Sequence, residues 1–309
     1  MTALPGRVLV IGEALIDVVD HGDGVTRHVG GSPLNVAFGL GRLGTATTFA
    51  SEFGDDPDGL AIRDHLASGG VSVVTVGDGS LPTSTATAWI GADGSATYDF
   101  DLTWNFRTPP QVNGVSVVHV GSIGALHLPG GNRVLSFVES LPQDVLVAFD
   151  PNVRPTLMPS REVAVVAVER YASRAAVVKL SDEDADWLYP DAAASAPQRL
   201  LDAGAKLVAV SRGSAGSVLH TADLRVEVPV LQVDIVDTIG AGDAYMSGLI
   251  AAIAEKVGIE GALAGSYSNA QLTEIGRMAA VSAGLTVARA GAMPPTAAEL
   301  QRALRELEQ

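Results

Sequence analysis

Apolar and polar positions along the chain follow two periods, one typical of buried strands and one typical of helices. Short runs of Val, Leu, Ile and Ala predict strands at residues 8–19, 47–51, 71–76, 115–120, 145–150, 175–180, 207–211 and 217–220. Apolar residues three or four positions apart predict helices at residues 33–42, 57–67, 161–172, 182–188, 197–203, 242–256, 271–289 and 296–308. Because strands and helices alternate, the pattern predicts βαβ units around a mostly parallel sheet.

One region does not follow this alternation of strands and helices. Apolar and polar residues alternate at 83–91 and 95–101 on either side of the turn sequence GADG, a pattern typical of a β-hairpin. Together with residues 18–28, the hairpin is expected to form a small sheet with one face available to cover a ligand. We find no repeat or long linker, so we expect one domain over residues 1–309, with a lid formed by about 15–30 and 83–106.

Composition narrows the classes of function. Hydrophobic residues make up 47% of the chain and aromatic residues only 5%, which suits buried parallel strands and closely packed helices. The net charge of −15 argues against nucleic acid or an anionic membrane as a partner. The absence of cysteine excludes disulfides, thiolate nucleophiles and cysteine metal sites. With no signal-peptide layout and no membrane-length apolar stretch, a soluble cytoplasmic protein is expected.

The segment VDTIGAGDAY carries the strongest chemical signal. Gly240, Ala241 and Gly242 come where a strand gives way to an apolar helix, so backbone N–H groups and the helix N-terminus are expected to form an anion site. Asp243 follows directly, although a carboxylate is repelled by any anion bound there. An acid in this place can take the proton from a hydroxyl that attacks a phosphoryl group. The segment therefore indicates a kinase.

A second glycine turn precedes the first predicted helix, in VGGSPLNVAFGLGRLG. Gly30 and Gly31 are followed by Ser32 as the expected N-cap and by Pro33 at the first helical position. Asn35 then lies in the first turn, and its side-chain amide can both donate to and accept from sugar hydroxyls. An ordinary strand-to-helix connection is an equal alternative for this segment alone.

Polar residues at other strand ends are further candidates. Asp17, in GEALIDVV, is costly in an apolar strand unless it is paired or reaches a ligand, and two ligand hydroxyls would suit it. The segment DPNVRP places Asp150, Asn152 and Arg154 at alternate positions after another strand. Arg154 is a candidate contact for a phosphate or a substrate oxygen, although a plain polar loop explains the segment equally well.

Two later segments also follow strands. KLSDEDAD places four acids at a strand-to-helix junction, where the helix dipole favours them without any function. The alternative is that Ser181, Glu183 or Asp184 holds water around Mg²⁺, which needs few protein ligands. SRGSAG has two glycines and is consistent with the approach of a nucleotide or with a plain hairpin.

In this order, the segments resemble the ribokinase-like carbohydrate kinases, the PfkB family. GGSPLNVAFGLGRLG is similar to the N-terminal signature of that family and DTIGAGDAY to its C-terminal signature, roughly 200 residues later. The resemblance covers essentially the whole chain. It implies a three-layer α/β/α fold with a mostly parallel central sheet and a small β-sheet lid, in agreement with the pattern described above.

The resemblance also implies roles for residues that match the family motifs. Asp243 corresponds to the catalytic base, and the anion hole to Gly240, Ala241 and Gly242. The implied sugar contacts are Asp17, Gly30, Gly31 and Asn35, to which Arg154 is added as a substrate-side candidate. The implied nucleotide-side residues are Lys179, Ser181, Ser211, Gly213 and Gly216.

ATP and Mg²⁺ are implied as cosubstrate and cofactor, and K⁺ as a further ion in many members. Asp184 is the candidate to act on Mg²⁺ through water, and Asp237, with the loop ARAGAMP, is the candidate monovalent-cation site. The chain departs from the family in having Ser181-x-x-Asp184 in place of Asn-x-x-Glu. A second departure is Arg212, between Ser211 and Gly213, where the family usually reads Thr-x-Gly.

GEALIDVV and GGSPLNVA are most similar to the fructokinase branch, which makes D-fructose the first choice of substrate. Ribose, 2-keto-3-deoxygluconate, another ketose and a nucleoside remain open, and a non-catalytic sugar sensor is a minor alternative. A homodimer through the lid is also plausible. The aromatic residues that could pack on a sugar, in the hairpin or in a dimer are Trp89, Tyr98, Phe100, Trp104 and Phe106.

Overall fold

The computed structural model describes residues 6–20, 24–77, 79–90 and 96–308. The strands are β1 (Arg7–Ile11), β2 (Leu15–Asp20), β3 (Val25–Gly30), β4 (Thr47–Ser51), β5 (Ser72–Thr75), β6 (Ser84–Ile90), β7 (Ala96–Asp101), β8 (Val115–Gly121), β9 (Leu146–Asp150), β10 (Val177–Ser181), β11 (Leu207–Ser211), β12 (Ser217–His220) and β13 (Arg225–Val228). The α-helices are α1 (Ser32–Arg42), α2 (Pro57–Ser68), α3 (Ser122–Leu126), α4 (Gly130–Ser140), α5 (Arg161–Arg174), α6 (Asp182–Leu188), α7 (Ala196–Ala203), α8 (Ala241–Lys256), α9 (Gly258–Leu263), α10 (Asn269–Val287) and α11 (Ala297–Glu306).

The main sheet has nine strands in the order β13-β12-β11-β10-β9-β8-β1-β4-β5. The strands from β11 to β5 in this order are parallel, whereas β12 and β13 are antiparallel additions at one edge. The carboxyl ends of the parallel strands therefore share one edge of the sheet, the place where ligands bind in open α/β folds.

Helices cover both faces of this sheet. Alternate residues of β1 show the division, because Val8 and Val10 pack with α1, α8 and α10, whereas Leu9 and Ile11 pack with α4 and α5 on the other face. The mostly parallel sheet that the alternation of strands and helices predicted is confirmed, as is the three-layer α/β/α architecture that the family resemblance implied. None of the helices in the described ranges combines the length and the apolar character needed to cross a membrane.

The strand predicted at residues 8–19 is wrong as a single element. The chain leaves the main sheet after Ile11 and enters a second sheet at Leu15. A Cβ at Gly12 would lie 2.3 Å from Pro33 Cγ, so glycine permits close passage past α1 at this crossing. Residues 8–16 are all buried, and apolar residues stand on both sides of Gly12 and Glu13, so the apolar runs alone do not locate the break.

The second sheet is small and has the order β3-β2-β6-β7. Its β6 and β7 are antiparallel, as expected for the predicted hairpin, while the turn at residues 91–94 lies outside the described residues. Trp104 and Phe106, 5% and 2% exposed, pack in the main core rather than on this sheet. These two aromatic side chains are therefore unavailable to stack on a sugar.

Three helices and one strand were missed by the sequence pattern: α3, α4, α9 and β13. Helices α3 and α4 occupy a glycine-rich stretch in which a helical period is hard to see. Glycine at 124 is required by packing, since a Cβ there would lie 2.5 Å from the Cα of Gly12, and Gly131 would similarly meet the carbonyl oxygen of Ala125 at 2.5 Å.

Candidate active site

The two signature segments meet at one carboxylate. Asp243 lies in the first turn of α8 and is 8% exposed. Ser32 Oγ donates to Asp243 Oδ1 at 2.7 Å, and Asn35 Nδ2 donates to Oδ2 at 2.9 Å. Helix α1 thus supplies both side-chain donors to an acid carried by α8.

Small residues allow these two helices to approach closely. A Cβ at Gly39 would lie 2.5 Å from Ser247 Oγ, so a larger residue would push α1 away from α8. Residues 243–253 of α8 are all buried, which holds the first turn of the helix in place. The position of Asp243 is therefore fixed by the core and not by a mobile loop.

Ser32 differs from its predicted role. The prediction that it is the N-cap of α1 is wrong, because the helix begins at Ser32 itself and Gly31 occupies the cap position without a side-chain hydrogen bond. Gly31 has a φ of +114°, and a Cβ there would lie 2.7 Å from the carbonyl oxygen of Glu13. Glycine is therefore needed at this turn, and the Ser32 hydroxyl is directed to Asp243 instead.

Burial raises the pKa of Asp243 above its usual range. The hydrogen bonds from Ser32 and Asn35 oppose this shift, as do the charges of Lys179 and Arg154. The carboxylate is thus both oriented by two donors and more basic than an exposed aspartate. Both properties suit a group that accepts a proton from a substrate hydroxyl.

The N-terminus of α8 adjoins this acid. Gly240 is left-handed, with a φ of +74°, and a Cβ there would lie 2.6 Å from the Cβ of Ala292. The Ala241 N–H donates to the carbonyl of Thr238 at 3.2 Å. Since the first N–H groups of a helix lack acceptors within it, this end of α8 is suited to an anion, which is the role predicted for the Gly240–Gly242 segment.

Lys179 supplies a buried positive charge at the same place. Its ammonium lies 2.9 Å from Asp150 Oδ2, and a Cβ added at Gly242 would be 3.1 Å from Nζ. Burial alone would lower the pKa of Lys179, but the carboxylates of Asp150, Asp184 and Asp243 outweigh it and raise that pKa. The lysine is therefore charged beside the start of α8.

The predicted sugar-side residues lie where the small sheet joins the core. Asp17 is on β2, between His28 of β3 and Ala86 of β6. A Cβ at Gly30 would lie 2.0 Å from Asp17 Oδ2, so glycine at this position makes room for the carboxylate. Burial raises the pKa of Asp17, while the charges of His28 and Arg154 lower it.

Arg154 lies among several acids. Its guanidinium donates to Asn152 Oδ1 at 2.7 Å, and its charge lowers the pKa values of Asp17, Asp243 and Glu13. Asn152 itself has a positive φ of 35°, which is uncommon for a non-glycine residue. The Arg154 charge thus acts on Asp17, one of the residues predicted to contact the sugar, and on Asp243.

Glu13 belongs to this site and was not identified as a site residue from the sequence. It is 3% exposed, and its Oε2 accepts the Gly124 N–H at 2.6 Å. Burial raises its pKa to about 7, against the lowering effect of the Gly124 hydrogen bond. An acid in the otherwise apolar GEALID segment was the available signal, the same signal that drew attention to Asp17.

A cavity of about 390 Å³ lies on the other side of the α8 N-terminus. It is bounded by Ser211, Gly213 and Gly216, the residues predicted to lie on the nucleotide side, and by Ala241 and Gly242. Residues 230–233 and α10 also line it, and no motif in these segments indicated this. Lys179 and Ser181 do not line this cavity.

Ser181 and Asp184 form the capping box of α6. The Asp184 N–H donates to Ser181 Oγ at 2.9 Å, and the Ser181 N–H donates to Asp184 Oδ2 at 3.0 Å. Asp184 Oδ1 also accepts the Val153 N–H at 2.7 Å and so connects α6 to the loop of Arg154. Within the described ranges there is no group of three or more His, Asp or Glu residues that could hold a metal.

Asp237 contacts the ARAGAMP loop, with which it was predicted to form a monovalent-cation site. Its Oδ1 accepts the Ile239 N–H at 3.0 Å, and its Oδ2 accepts the Gly291 N–H at 2.8 Å. These hydrogen bonds lower the pKa of Asp237. The carboxylate therefore joins the segment before α8 to the ARAGAMP loop at residues 288–294.

The chain matches known carbohydrate kinases in sequence. The model of the pfkB family carbohydrate kinases matches residues 6–299. A fructokinase of Rhizobium leguminosarum bv. trifolii is 30% identical over 260 residues, which is 80% of this chain and 79% of that protein. A probable fructokinase-4 of Arabidopsis thaliana is 29% identical over 96% of each chain.

The chain also matches solved structures of carbohydrate kinases. A fructokinase from Xylella fastidiosa with bound ATP superposes with a TM-score of 0.87 and 26% identity, covering 99% of this chain and 100% of the other. An uncharacterized sugar kinase from Pyrococcus horikoshii in complex with ATP has a TM-score of 0.78 and 27% identity, covering 96% and 97%. Both signature segments fall within the matched family region, so this chain belongs to the pfkB family of carbohydrate kinases and is a phosphotransferase with an alcohol group as acceptor.

Proposed function

We propose that this chain transfers the γ-phosphate of ATP to D-fructose and forms fructose 6-phosphate. The observation that carries the proposal is the buried Asp243 carboxylate, oriented by Ser32 and Asn35 in the first turn of α8. The fructokinase names of relatives at about 30% identity support the choice of sugar.

In the proposed reaction, the C6 hydroxyl of fructose lies between Asp243 and the γ-phosphate. Asp243 takes the hydroxyl proton, the hydroxyl oxygen bonds to phosphorus, and the bond to the bridging oxygen of ADP breaks. A strong base is not needed, because the transition state for phosphoryl transfer is loose and depends mainly on positioning and charge stabilisation. Gly240, Ala241 and Gly242 present the helix N-terminus to the transferred group.

The charges on the sugar side favour a neutral sugar. The charge of Arg154 lowers the pKa values of Asp17, Asp243 and Glu13, so this cation already offsets three negative charges. A carboxylate on the sugar, as in 2-keto-3-deoxygluconate, would add a further negative charge. We therefore place fructose ahead of acidic sugars, with Asp17, Gly30, Gly31 and Asn35 as its contacts alongside Arg154.

The nucleotide is proposed to occupy the cavity lined by Ser211, Gly213 and Gly216, with its phosphates directed past Gly242 toward Lys179. Arg212, the departure from the family pattern, folds back on this turn, because its side chain donates to the carbonyl of Ala215 at 3.2 Å. It therefore leaves the two glycines available to the nucleotide.

Mg²⁺ and K⁺ are proposed as the metal ions that the kinase reaction uses. Asp184 fits an indirect Mg²⁺ role, since each of its oxygens accepts one backbone N–H and retains a lone pair for a metal-bound water. Mg²⁺ supplies charge compensation for the phosphates when it is bound. Asp237 and the loop at residues 288–294 fit a K⁺ site in which backbone carbonyls supply the ligands.

The small sheet is proposed to close over the sugar and exclude water, which suppresses transfer of phosphate to water.

The small sheet is also the proposed surface of a homodimer. Its Val25 and Trp89 are 57% and 43% exposed, which supports pairing of two small sheets. Light scattering of the purified chain, compared with a Trp89→Glu variant, tests this assembly. A monomer for the unchanged chain would contradict it.

The deciding measurement is ADP release from ATP and Mg²⁺ with fructose, ribose, 2-keto-3-deoxygluconate, tagatose, inosine and adenosine, each with and without K⁺. We expect the highest kcat/KM with fructose and stimulation by K⁺. A higher value with another member of the panel would replace fructose by that substrate. Sugar binding by calorimetry without any turnover would indicate the sensor instead.

A further inference from the structure

Asp150 and Lys179 form a buried ion pair on neighbouring strands. Asp150 ends β9, Lys179 lies on β10, and the register of the two strands pairs Phe149 with Val178. Asp150 Oδ2 and Lys179 Nζ are 2.9 Å apart, and their side chains are 1% and 5% exposed. The pair therefore lies at the carboxyl edge of the sheet and is shielded from water.

A buried ion pair of this kind is not an efficient source of stability for the fold. Removing two charges from water carries a large desolvation penalty, and apolar residues of similar size often give an equally stable core. In addition, no described residue donates to Asp150 Oδ1, although that oxygen is fully buried. Burial raises the pKa of Asp150 to about 6 in spite of its lysine partner. Stability alone does not account for these features.

The pair does place a charge where the reaction needs one. The Lys179 ammonium lies 3.1 Å from the position that a Cβ added at Gly242 would take, so it lies beside the start of α8. Two other carboxylates, Asp184 and Asp243, also attract the ammonium. Without Asp150, the ammonium would be left to the attraction of Asp184 and Asp243, and a move toward either would take it from its place beside Gly242.

We propose that Asp150 is a positioning residue for phosphoryl transfer, whose carboxylate holds the Lys179 ammonium against the N-terminus of α8, where the ammonium meets the charge that builds on the transferred phosphoryl oxygens. The inference rests on the proposed function, since it takes the phosphates to lie at Gly242. Among the described residues, Lys179 is the single side chain that donates to Asp150. Asp150 is therefore expected to act through the lysine and not independently.

A double-mutant cycle on the full chain tests this relationship. The proteins are the unchanged chain, Asp150→Asn, Lys179→Met and the double variant. We expect each single variant to lower kcat at least about tenfold, with a much smaller change in the KM for the sugar. The double variant should be no slower than Lys179→Met. Losses that multiply in the double variant would overturn the proposal.

Binding provides a readout that does not require turnover. The affinity for ADP with aluminium fluoride, a mimic of the transferred phosphoryl group, should fall at least about tenfold in both single variants, while the affinity for ADP alone changes little. The same loss for both ligands would show that the pair only shapes the nucleotide site and would overturn the proposal. This assay also remains informative if fructose is not the substrate, because it needs no sugar.

Two controls separate charge placement from folding. Lys179→Arg retains the charge and should keep more kcat than Lys179→Met, whereas equal losses would contradict a role for the charge. Glu139→Gln removes an exposed ion pair with Arg170 and should leave kcat unchanged. If Asp150→Asn does not fold, Asp150→Glu replaces it in the cycle, and the same non-additivity with Lys179→Met is required.

Discussion

Asn35 donates a hydrogen bond to Asp243 at 2.9 Å, although the two residues are 208 positions apart in the chain. The bond joins the first turn of α1, which follows the Gly30–Gly31 turn, to the first turn of α8, which forms the proposed anion hole. A residue proposed to contact the sugar thereby orients the residue proposed to take its proton. Substrate binding and base orientation are thus linked through one side-chain amide.

Replacement of Asp243 by Asn should abolish most of the activity while the fold is retained. The amide is similar in shape but cannot take a proton at neutral pH, so we expect kcat to fall at least about 10²-fold. Steady-state ADP release measures this loss, and calorimetry should show that the sugar still binds. The exposed Asp144→Asn serves as the control and should retain full activity. Near-normal turnover by Asp243→Asn would remove it as the base.

Ser32→Ala should shift the pH dependence of the reaction. The Ser32 hydrogen bond lowers the pKa of Asp243, so its loss raises that pKa and keeps the base protonated to higher pH. The acidic limb of the kcat profile is therefore expected to move to higher pH. Asn35→Ala should move it in the same direction and also raise the KM for the sugar. A limb that stays in place in both variants would show that another group controls it.

Glu13 should make the folded chain less stable as the pH rises. Its pKa is about 7 in the folded state against an ordinary value of 4.5, so the folded state holds the proton more tightly. The unfolding free energy should therefore fall between pH 4.5 and 7, by about 3 kcal/mol at 1.36 kcal/mol per pKa unit.

Glu13→Gln checks this prediction, because glutamine can still accept the Gly124 hydrogen bond but does not titrate. Urea unfolding at pH 5 and pH 8 should show that the variant gains stability at pH 8 relative to the unchanged chain. The two proteins should be closer in stability at pH 5. An equal difference at both pH values would contradict the raised pKa.

Gly242→Ala should damage activity more than stability. The added Cβ would lie 3.1 Å from Lys179 Nζ, and the flexible end of the lysine would move away from the helix N-terminus. We expect kcat to fall about tenfold or more, with a change in unfolding free energy within about 1 kcal/mol. Gly24→Ala, where a Cβ meets nothing within 4 Å, is the matched control for both measurements. A fully active Gly242→Ala would show that the ammonium is not needed there.

Much of the layered fold could be predicted because its signals are local. The period of apolar residues identified most of the main-sheet strands, and the segments VDTIGAGDAY and VGGSPLNVA identified the glycine turns and the acid that follows them. Predictions failed where a local pattern had two meanings. Apolar runs stand on both sides of Gly12 and Glu13 and resemble one continuous strand, so the apolar pattern alone does not show the exchange between two sheets at residues 12–14. The serine before Pro33 fits an N-cap equally well, although it binds Asp243.

The roles of other site residues could not be predicted, because their hydrogen-bond partners are distant in sequence. Glu13 accepts from Gly124, 111 positions away, and Asp150 accepts from Lys179, 29 positions away. Neither acid lies in a sequence motif from which its partner could be predicted. The roles of Asp17, Arg154, Ser181, Asp184 and Asp237 toward ligands stay predictions, although the structure gives each of them a definite neighbourhood.

The sequence by itself determined the class of fold, the family and the chemistry of the two glycine turns, because these depend on periodicity and on residues that are adjacent in the chain. The tertiary structure decided which donors orient Asp243, where the Lys179 charge lies and which acids the Arg154 charge acts on. Those features depend on how the parallel strands and α1 bring distant residues to one edge of the sheet. Burial at that edge then sets the pKa values, and burial is a property of the folded chain alone.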